Sequence, residues 1–218
     1  MGIPINEEHF LILNFADDQA VFAQDSFDME FMLRRLYTQY REWGLEVSLE
    51  KTEYLVLNSD AKFDILIDDK AEIQQVDTFK YVGAIVDKNG IGGIEIKQRI
   101  QNARRVYHSP LNSIWWDKHI NIKHKKHIGQ TMVESVLCYG SMIWALREED
   151  KRRIMAVEMD YLRRSARVSR LQRVRNEEIK NRTSAQETVI QRIKKRGLRW
   201  FGHLMRMEDT RWPKRVFK

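Results

Sequence analysis

The spacing of apolar residues changes once along this chain, at a segment that contains Gly90, Gly92 and Gly93. Before these glycines, apolar residues stand in short continuous runs bounded by polar residues, which indicates strands. After them, apolar residues recur every three or four positions, which indicates amphipathic helices. The sequence therefore predicts an α+β protein, with a mixed portion over residues 1–90 and an all-helical portion after it.

The mixed portion begins with two apolar runs, residues 11–13 and 20–23, on either side of an aspartate pair. Such a pattern predicts a tight β-hairpin with the aspartates at its tip. An amphipathic helix is predicted next, with Ser26 as its N-cap and Gly44 as its stop signal. Further strands are predicted in residues 54–57, 65–67 and 81–86.

The helical portion contains three apolar stripes at helical spacing. They consist of Ile96, Ile100, Ala103 and Tyr107, then Ile154, Val157 and Tyr161, and finally Val189, Ile193, Trp200 and Leu204, the last stripe interrupted only by Gly197. Three prolines in 218 residues permit such long helices. A single cysteine, Cys138, excludes an internal disulfide framework.

Charge is distributed unequally between the two portions. Residues 1–90 carry 8 Lys and Arg against 18 Asp and Glu, whereas residues 91–218 carry 30 against 13, for net charges of −10 and +17 within a total of +7. A large field of one sign opposes compact folding unless a partner screens it. The helical portion is therefore predicted to bind a polyanion, and nucleic acid is the favoured class.

The aspartate pair, Asp17 and Asp18, is the main candidate for catalysis. Two adjacent carboxylates on a rigid turn suit a hard divalent cation such as Mg²⁺ or Mn²⁺. A site with two such metals catalyses in-line nucleotidyl transfer. Because Asp-Asp is also a common turn sequence, the pair taken alone is weak evidence for a metal site and is better explained as an ordinary surface turn.

Three segments in order give the pair a context. They are Phe15-Ala16-Asp17-Asp18, the run from Gly44 to Thr52, and Phe79-Lys80-Tyr81-Val82-Gly83. The series resembles motifs C, D and E of the reverse-transcriptase palm in non-LTR, LINE-like retrotransposons. Residues 137–144 and 198–207 also resemble recurring segments of the C-terminal region of those elements. The resemblance extends over nearly the whole chain.

This resemblance implies a polymerase architecture. Residues 1–90 would form the C-terminal part of a palm, with a β-hairpin, a helix and a small antiparallel sheet. Residues 91–150 would form a helical thumb, and residues 151–218 a basic helical extension. The implied activity is RNA-directed DNA synthesis, with an RNA template, a DNA primer and deoxynucleoside triphosphates as partners.

Roles for individual residues follow from the same resemblance. Asp17 would bind metal directly, and Asp18 would be its less directly coordinating neighbour. Phe15 and Ala16 would lie beside the nucleotide, as the aromatic and variable positions of the motif. Lys51 would lie near the triphosphate and assist departure of pyrophosphate, although an ordinary surface lysine explains it as well.

The predicted primer grip consists of Tyr81, Val82 and Gly83. A buried sheet strand is the alternative explanation for these residues, and both can hold at once.

One element of the family pattern is missing from this sequence. Palm polymerases use a third aspartate, from motif A, and residues 1–16 contain none. The expectation is therefore weak binding of Mg²⁺ or Mn²⁺ and no polymerisation by this chain alone. Loss of the motif A strand would also leave an unpaired palm edge, through which self-association is expected.

Basic side chains with interspersed tryptophans form the candidate nucleic-acid surface. The predicted contacts are Lys97, Arg104, Arg105, Lys123, Lys125, Lys126, Arg163, Arg164, Lys194, Lys195 and Arg196. For any single cluster, a solvated helix face is the alternative. No zinc is expected, because the histidines near Cys138 lack a zinc-binding spacing.

Two other functions remain open at this point. The chain is either a non-catalytic nucleic-acid-binding protein or a degenerate transposon relic, if it is not a polymerase fragment. No apolar run is long enough to cross a bilayer, so a soluble intracellular protein is expected, in the nucleus or in a cytoplasmic ribonucleoprotein, with no membrane partner.

Overall fold

The computed structural model describes residues 1–67, 72–90, 92–108 and 111–218. It confirms the α+β class predicted from the sequence. The chain forms two compact units: Met1–Gly92 together with Glu208–Lys218, and Gly93–Met207. The first division falls at the glycines where the apolar spacing changes. The second unit contains the predicted thumb and most of the predicted extension.

The first unit starts with two β-hairpins. Strands β1 (Ile3–Ile5) and β2 (Glu8–Phe10) pair antiparallel, and so do β3 (Ile12–Phe15) and β4 (Asp18–Val21). The second of these is the hairpin that the sequence predicts around the aspartate pair. Gly2 permits the tight approach of the N-terminus, because a Cβ there would lie 2.5 Å from the Leu11 side chain.

Helix α1 (Ser26–Glu42) follows the hairpins. Its N-cap is Asp25 and not the predicted Ser26: the Asp25 carboxylate accepts a hydrogen bond from the Asp28 backbone N–H at 2.8 Å. At the other end, Gly44 takes a positive φ of 72°, and Leu45 N–H donates to the Tyr40 carbonyl. This is a Schellman C-cap, which explains why the helix stops where the glycine predicts.

The rest of the first unit is built from short elements. A 3₁₀ turn (Leu49–Lys51) leads to β5 (Glu53–Tyr54), which pairs in parallel with β6 (Gln74–Gln75), and β7 (Thr78–Tyr81) pairs antiparallel with β8 (Ala84–Asp87). A small core under them contains Tyr54, Ile65, Ile67 and Ile73, packed against the inner face of α1. The single strand predicted over residues 81–86 is wrong, because the chain reverses direction within it.

Every regular element that the structure describes in the second unit is helical. Its helices are α2 (Gly93–His108), α3 (Asn112–Trp116), α4 (Ile122–Ile128), α5 (Glu134–Leu137), α6 (Glu148–Ser165), α7 (Asn176–Thr183) and α8 (Val189–Arg206). A π-helical segment, Gly129–Val133, joins α4 to α5. Two 3₁₀ turns, Ser141–Ile143 and Arg170–Gln172, lie between helices.

The predicted apolar stripes face one core in this unit. All members of the first two stripes are buried there, as are Val189 and Ile193 of the third. Leu204 is also buried but does not belong to this core. The predicted interruption at Gly197 is wrong, since α8 runs through it without a break. A Cβ at position 197 would lie 3.5 Å from the Met142 carbonyl oxygen, an ordinary van der Waals distance, so packing there does not require a glycine.

A C-terminal helix, α9 (Trp212–Phe217), belongs to the first unit. The Trp212 ring packs edge-on against Phe10, with 5.2 Å between centroids. Arg215 pairs with Glu8 at 2.5 Å and lies over the Trp212 ring. The last residues of the chain are therefore held against the β1–β2 hairpin.

Candidate functional site

The aspartate pair lies at the tip of the β3–β4 hairpin. Phe15 is paired with Asp18 at the end of the ladder, so Ala16 and Asp17 form a two-residue turn. Ala16 has a positive φ of 51°, an uncommon conformation for a residue with a side chain. Both carboxylates are exposed, and so is the Phe15 ring. The tip therefore presents two acidic groups to solvent.

These carboxylates do not by themselves fit a divalent-metal pair. Within residues 1–67, 72–90, 92–108 and 111–218, no three His, Cys, Asp or Glu side chains are grouped so that they could hold a metal ion. Two carboxylates supply too few ligands for two hard cations. The described part of the chain therefore lacks a complete metal site, and no catalytic step is assigned to Asp17 or Asp18 in the isolated chain.

Helix α1 supports the hairpin from one side. The Tyr40 hydroxyl donates a hydrogen bond to the side-chain oxygen of Gln19, which lies on β4 directly after Asp18. This contact fixes the strand that carries the second aspartate. Lys51 lies in the 3₁₀ turn with an exposed side chain, and no hydrogen bond or ion pair in the described residues joins it to the aspartates.

The predicted primer-grip residues lie at a second hairpin tip. Tyr81 ends β7, and Val82 and Gly83 form the turn into β8. Their φ angles are 47° and 77°, and positive φ at both positions defines a type I′ turn. A valine with positive φ is an outlier, because its branched Cβ is crowded there. Like the first hairpin, this one carries a strained residue at its tip.

Helix α2 supplies the clearest basic face in the second unit. Its inner face carries Ile96, Ile100 and Tyr107, whereas Lys97, Arg104 and Arg105 lie exposed on the opposite side. Among the described residues, these three cations have no acidic partner within ion-pairing distance. We call Lys97, Arg104 and Arg105 the α2 stripe.

His108, which is not among the contacts predicted from the sequence, continues this face. Arg164 of α6 lies over the Tyr107 ring, and its Nη2 is 3.2 Å from His108 Nδ1. Burial and the charge of Arg164 lower the pKa of His108. A guanidinium only donates hydrogen bonds, so this contact requires an unprotonated Nδ1. Helical spacing from Lys97 would have placed His108 on the stripe side.

Lys125 is a correction to the predicted surface. Its side chain is buried at 1% exposure, and its ammonium donates to the Trp115 carbonyl at 2.7 Å and the Asp117 carbonyl at 2.5 Å. It therefore caps the C-terminal end of α3 and does not face a polyanion. Its neighbour Lys123 is exposed.

Several other predicted cations have structural partners. Arg163 donates to the Val174 carbonyl and to Asn176, Arg164 to Asn112, Lys126 to the Ser184 carbonyl, Arg196 to the Cys138 carbonyl, and Lys195 pairs with Glu187. Lys194 is exposed and has no such partner within the described ranges. The structure thus separates cations that hold the fold from those open to a ligand.

A buried ionic cluster fixes the helices that carry these cations. Arg192 Nη2 donates to Glu134 at 2.7 Å and to Glu158 at 2.8 Å, and Glu158 also accepts from Val189 N–H at 2.8 Å. Tyr161 donates its hydroxyl proton to Glu134. Because these residues come from the α5, α6 and α8 segments, the cluster sets the relative position of three helices.

Comparison with known proteins gives one informative similarity. The chain is 24% identical over 215 residues to an uncharacterised transposon-derived protein of Caenorhabditis elegans, a match that covers 95% of this chain and 76% of that protein. No family model matches the sequence, and no solved structure matches it. The similarity points to a transposon origin and does not address enzymatic activity.

No helix in the described part of the chain combines the length and apolarity needed to cross a bilayer.

Proposed function

We propose that this chain is the palm and thumb part of a non-LTR retrotransposon reverse transcriptase. The observation that carries the proposal is the placement of both motif segments at hairpin tips: Asp17 and Asp18 at one, Tyr81 to Gly83 at the other. A basic helical unit follows directly. Similarity to a transposon-derived protein supports the origin.

In this proposal the first unit contributes the nucleotide-proximal hairpin and the primer grip. Asp17 and Asp18 complete a metal site only with a further carboxylate, and no metal-binding group of three such side chains is found among the described residues. Residues 1–16, which precede the pair, contain no aspartate, so in this proposal the chain binds a primer-template without extending it. The second unit holds the duplex, with the α2 stripe on its phosphates.

A primer-extension assay with the purified chain in Mg²⁺ or Mn²⁺ tests the catalytic part. We expect no extension of an RNA-templated DNA primer by the wild-type chain. Extension that the Asp17→Ala variant abolishes would show that the chain forms a complete active site, contrary to the proposal. Asp64→Ala, at an exposed acid outside the hairpin, is the matched control.

Duplex binding separates a retained nucleic-acid surface from a relic with no activity. Replacing Lys97, Arg104 and Arg105 with glutamine should weaken primer-template affinity. The slope of log K against log salt should fall by about three, because about one phosphate contact is lost per cation. If the wild-type chain does not bind the primer-template at low salt, both the polymerase proposal and the alternative of a non-catalytic nucleic-acid-binding protein lose support. The remaining explanation is then a degenerate transposon relic.

Self-association is the partner relationship that the first unit favours. Strands β3 and β4 pair only with each other among the described strands, so the outer edge of each lacks a strand partner. Phe27 and Phe31 are 87% and 51% exposed one turn apart on α1. Open edges and exposed aromatics both favour association. Light scattering on the purified chain should therefore detect oligomers, and a concentration-independent monomer would contradict this.

A further inference from the structure

A concave site lies on the second unit, where α6 faces the 3₁₀ turn Arg170–Gln172 and α7. Its volume is about 660 Å³, within the usual range for small-ligand pockets, roughly 300–1,000 Å³. Five cations line it: Arg152, Arg163, Arg170, Arg173 and Lys180. The first and last of them, Arg152 and Lys180, are 28 residues apart in the sequence, so only the fold brings the five cations together. We call this the α6–α7 pocket.

Two carboxylates also line the α6–α7 pocket, and both are already satisfied. Glu158 accepts hydrogen bonds from Arg192 and from Val189 N–H. Asp160 pairs with Arg170 and accepts from the Tyr107 hydroxyl at 3.0 Å. With five cations against two acids, the lining remains net positive.

Three of the cations are available to a ligand. Arg152, Arg173 and Lys180 make no side-chain hydrogen bond or salt bridge with any residue that the structure describes. Arg173 also has a positive φ of 51°, which is unfavourable for a residue with a side chain. Because the lining carries a net positive charge, an anion bound among these cations would reduce their mutual repulsion and stabilise the unit.

Four apolar residues also line the pocket: Met155, Ala156, Met159 and Val174. We call these four the floor. An inorganic anion would gain nothing from this surface, whereas a nucleobase would bury its face against flexible methionine side chains and planar guanidinium groups. The lining therefore matches a ligand with both a phosphate and an exposed planar ring.

We propose that the α6–α7 pocket binds an unpaired nucleotide of single-stranded nucleic acid. Arg152, Arg173 and Lys180 hold its phosphates, and the base lies on the floor at Ala156 and Met159. In a duplex the bases are stacked inside and cannot reach such a floor, which makes the site selective for a single strand. This inference rests on the proposed nucleic-acid binding and assigns a template or product strand a place apart from the α2 stripe.

The test compares two triple variants of the full chain with two ligands at one ionic strength. The pocket variant is Arg152→Gln/Arg173→Gln/Lys180→Gln, and the stripe variant is Lys97→Gln/Arg104→Gln/Arg105→Gln, which removes the same charge. Fluorescence anisotropy measures affinity for labelled oligouridine and for a labelled duplex without overhangs. We expect the affinity of the pocket variant to fall about tenfold for oligouridine and little for duplex, because the cations that hold the phosphates of the unpaired nucleotide are lost.

A second pair of variants tests the floor without changing a cation. Ala156 is exposed on α6, so Ala156→Glu should fold and place a carboxylate where the base lies, and Ala156→Ser is its control. Oligouridine binding should fall only in Ala156→Glu. Equal losses on both ligands in the pocket variant, or normal binding in Ala156→Glu, would overturn the pocket. Loss of duplex binding by the wild-type chain would instead overturn the proposed function.

Discussion

Gly129 lies so close to the Tyr161 ring that a Cβ on the glycine would come within 2.5 Å of ring carbon Cδ2. Both residues are buried, and Gly129 opens the π-helical segment between α4 and α5. The tyrosine ring thus occupies the space that a side chain at position 129 would need. The hydroxyl of the same tyrosine donates a hydrogen bond to Glu134.

Gly129→Ala should therefore destabilise the second unit. Overpacking of a filled core costs about 1–3 kcal/mol, which exceeds the helix propensity gained by alanine, about 1 kcal/mol at most. Gly93→Ala is the control, because a Cβ at Gly93 meets no atom within 4 Å. Thermal unfolding followed by circular dichroism measures both. A Gly129→Ala protein as stable as Gly93→Ala would show that the ring moves aside without cost.

Arg192→Met should destabilise the same unit more strongly. The change leaves Glu134 and Glu158, whose side chains are 4% and 3% exposed, without their cation. Breaking a buried ion pair from one side costs about 3–5 kcal/mol. Arg199→Met removes an exposed cation from the same helix and should have little effect. Urea denaturation distinguishes the two, and equal midpoints would exclude a structural role for the cluster.

The cost of Arg192→Met should depend on pH. Burial raises the pKa of Glu158 above its ordinary value, and the positive charge of Arg192 opposes this rise. A raised pKa means that the folded state binds the proton more tightly, so stability increases as pH falls through the window between the unfolded and folded values. Without the positive charge of Arg192, the pKa of Glu158 in the folded state rises further, so the window extends to higher pH. The variant should thus be closer to wild type in mild acid than in mild base.

The sequence predicts the helices of the second unit well, because helical spacing marks a buried face whatever packs against it. Ile96, Ile100 and Tyr107 are all buried as expected. The β7–β8 hairpin was missed although Gly83 interrupts the apolar run, a signal for a turn. The residue types in this run favour a strand. The positive φ of Val82, however, depends on the pairing of β7 with β8, which the sequence does not show.

Burial of single cations is harder to predict than the burial of a stripe. Lys125 is adjacent to exposed Lys123 and His124, and only the packing of α4 against the end of α3 places it inside. The α6–α7 pocket has the same origin, since Arg152 and Lys180 meet through the tertiary fold. The aspartate tip is different: its position follows from the local hairpin pattern alone.

Lys125 and Lys123 should respond in opposite ways to substitution. Lys125→Gln removes an ammonium from two carbonyls, and an unsatisfied buried acceptor costs about 1–3 kcal/mol. Its melting temperature should fall. Lys123→Gln should leave the melting temperature unchanged and weaken nucleic-acid binding if Lys123 contacts a phosphate. A stable Lys125→Gln protein with weakened binding would mean that Lys125 is on the interface after all.

Cys138 should be unreactive until the second unit unfolds. The thiol is 3% exposed, and burial together with the nearby Glu134 charge raises its pKa to about 12. At pH 8 only about one thiol in ten thousand is then ionised, and the thiolate is the nucleophile. Iodoacetamide labelling should be slow in buffer and fast in urea. Rapid labelling in buffer would show that this region opens under native conditions.

The raised pKa of Cys138 also affects how stable the folded protein is in alkaline solution. The unfolded thiol ionises near its ordinary pKa of about 8.5, whereas the folded thiol stays protonated up to about 12. Between these values the unfolded state loses its proton first, so the contribution of Cys138 to stability declines as pH rises. Cys138→Ser is unsuitable as a control because it places a hydroxyl in an apolar site, and Cys138→Ala is preferable. The stability of the Cys138→Ala variant should vary less over this pH range than that of the wild-type chain.

Two neighbouring substitutions in the Val82-Gly83 turn should change the stability of this hairpin in opposite directions. Asn-Gly is the preferred type I′ sequence, and asparagine tolerates positive φ better than a β-branched residue. Val82→Asn should therefore stabilise the hairpin, by about 1 kcal/mol. Gly83→Ala should destabilise it, because alanine is strained at a φ of 77°. Hydrogen exchange of the peptide covering residues 78–87 should slow in the first variant and accelerate in the second. If both changes accelerate exchange, the packing of the Val82 side chain contributes more stability than its backbone conformation costs.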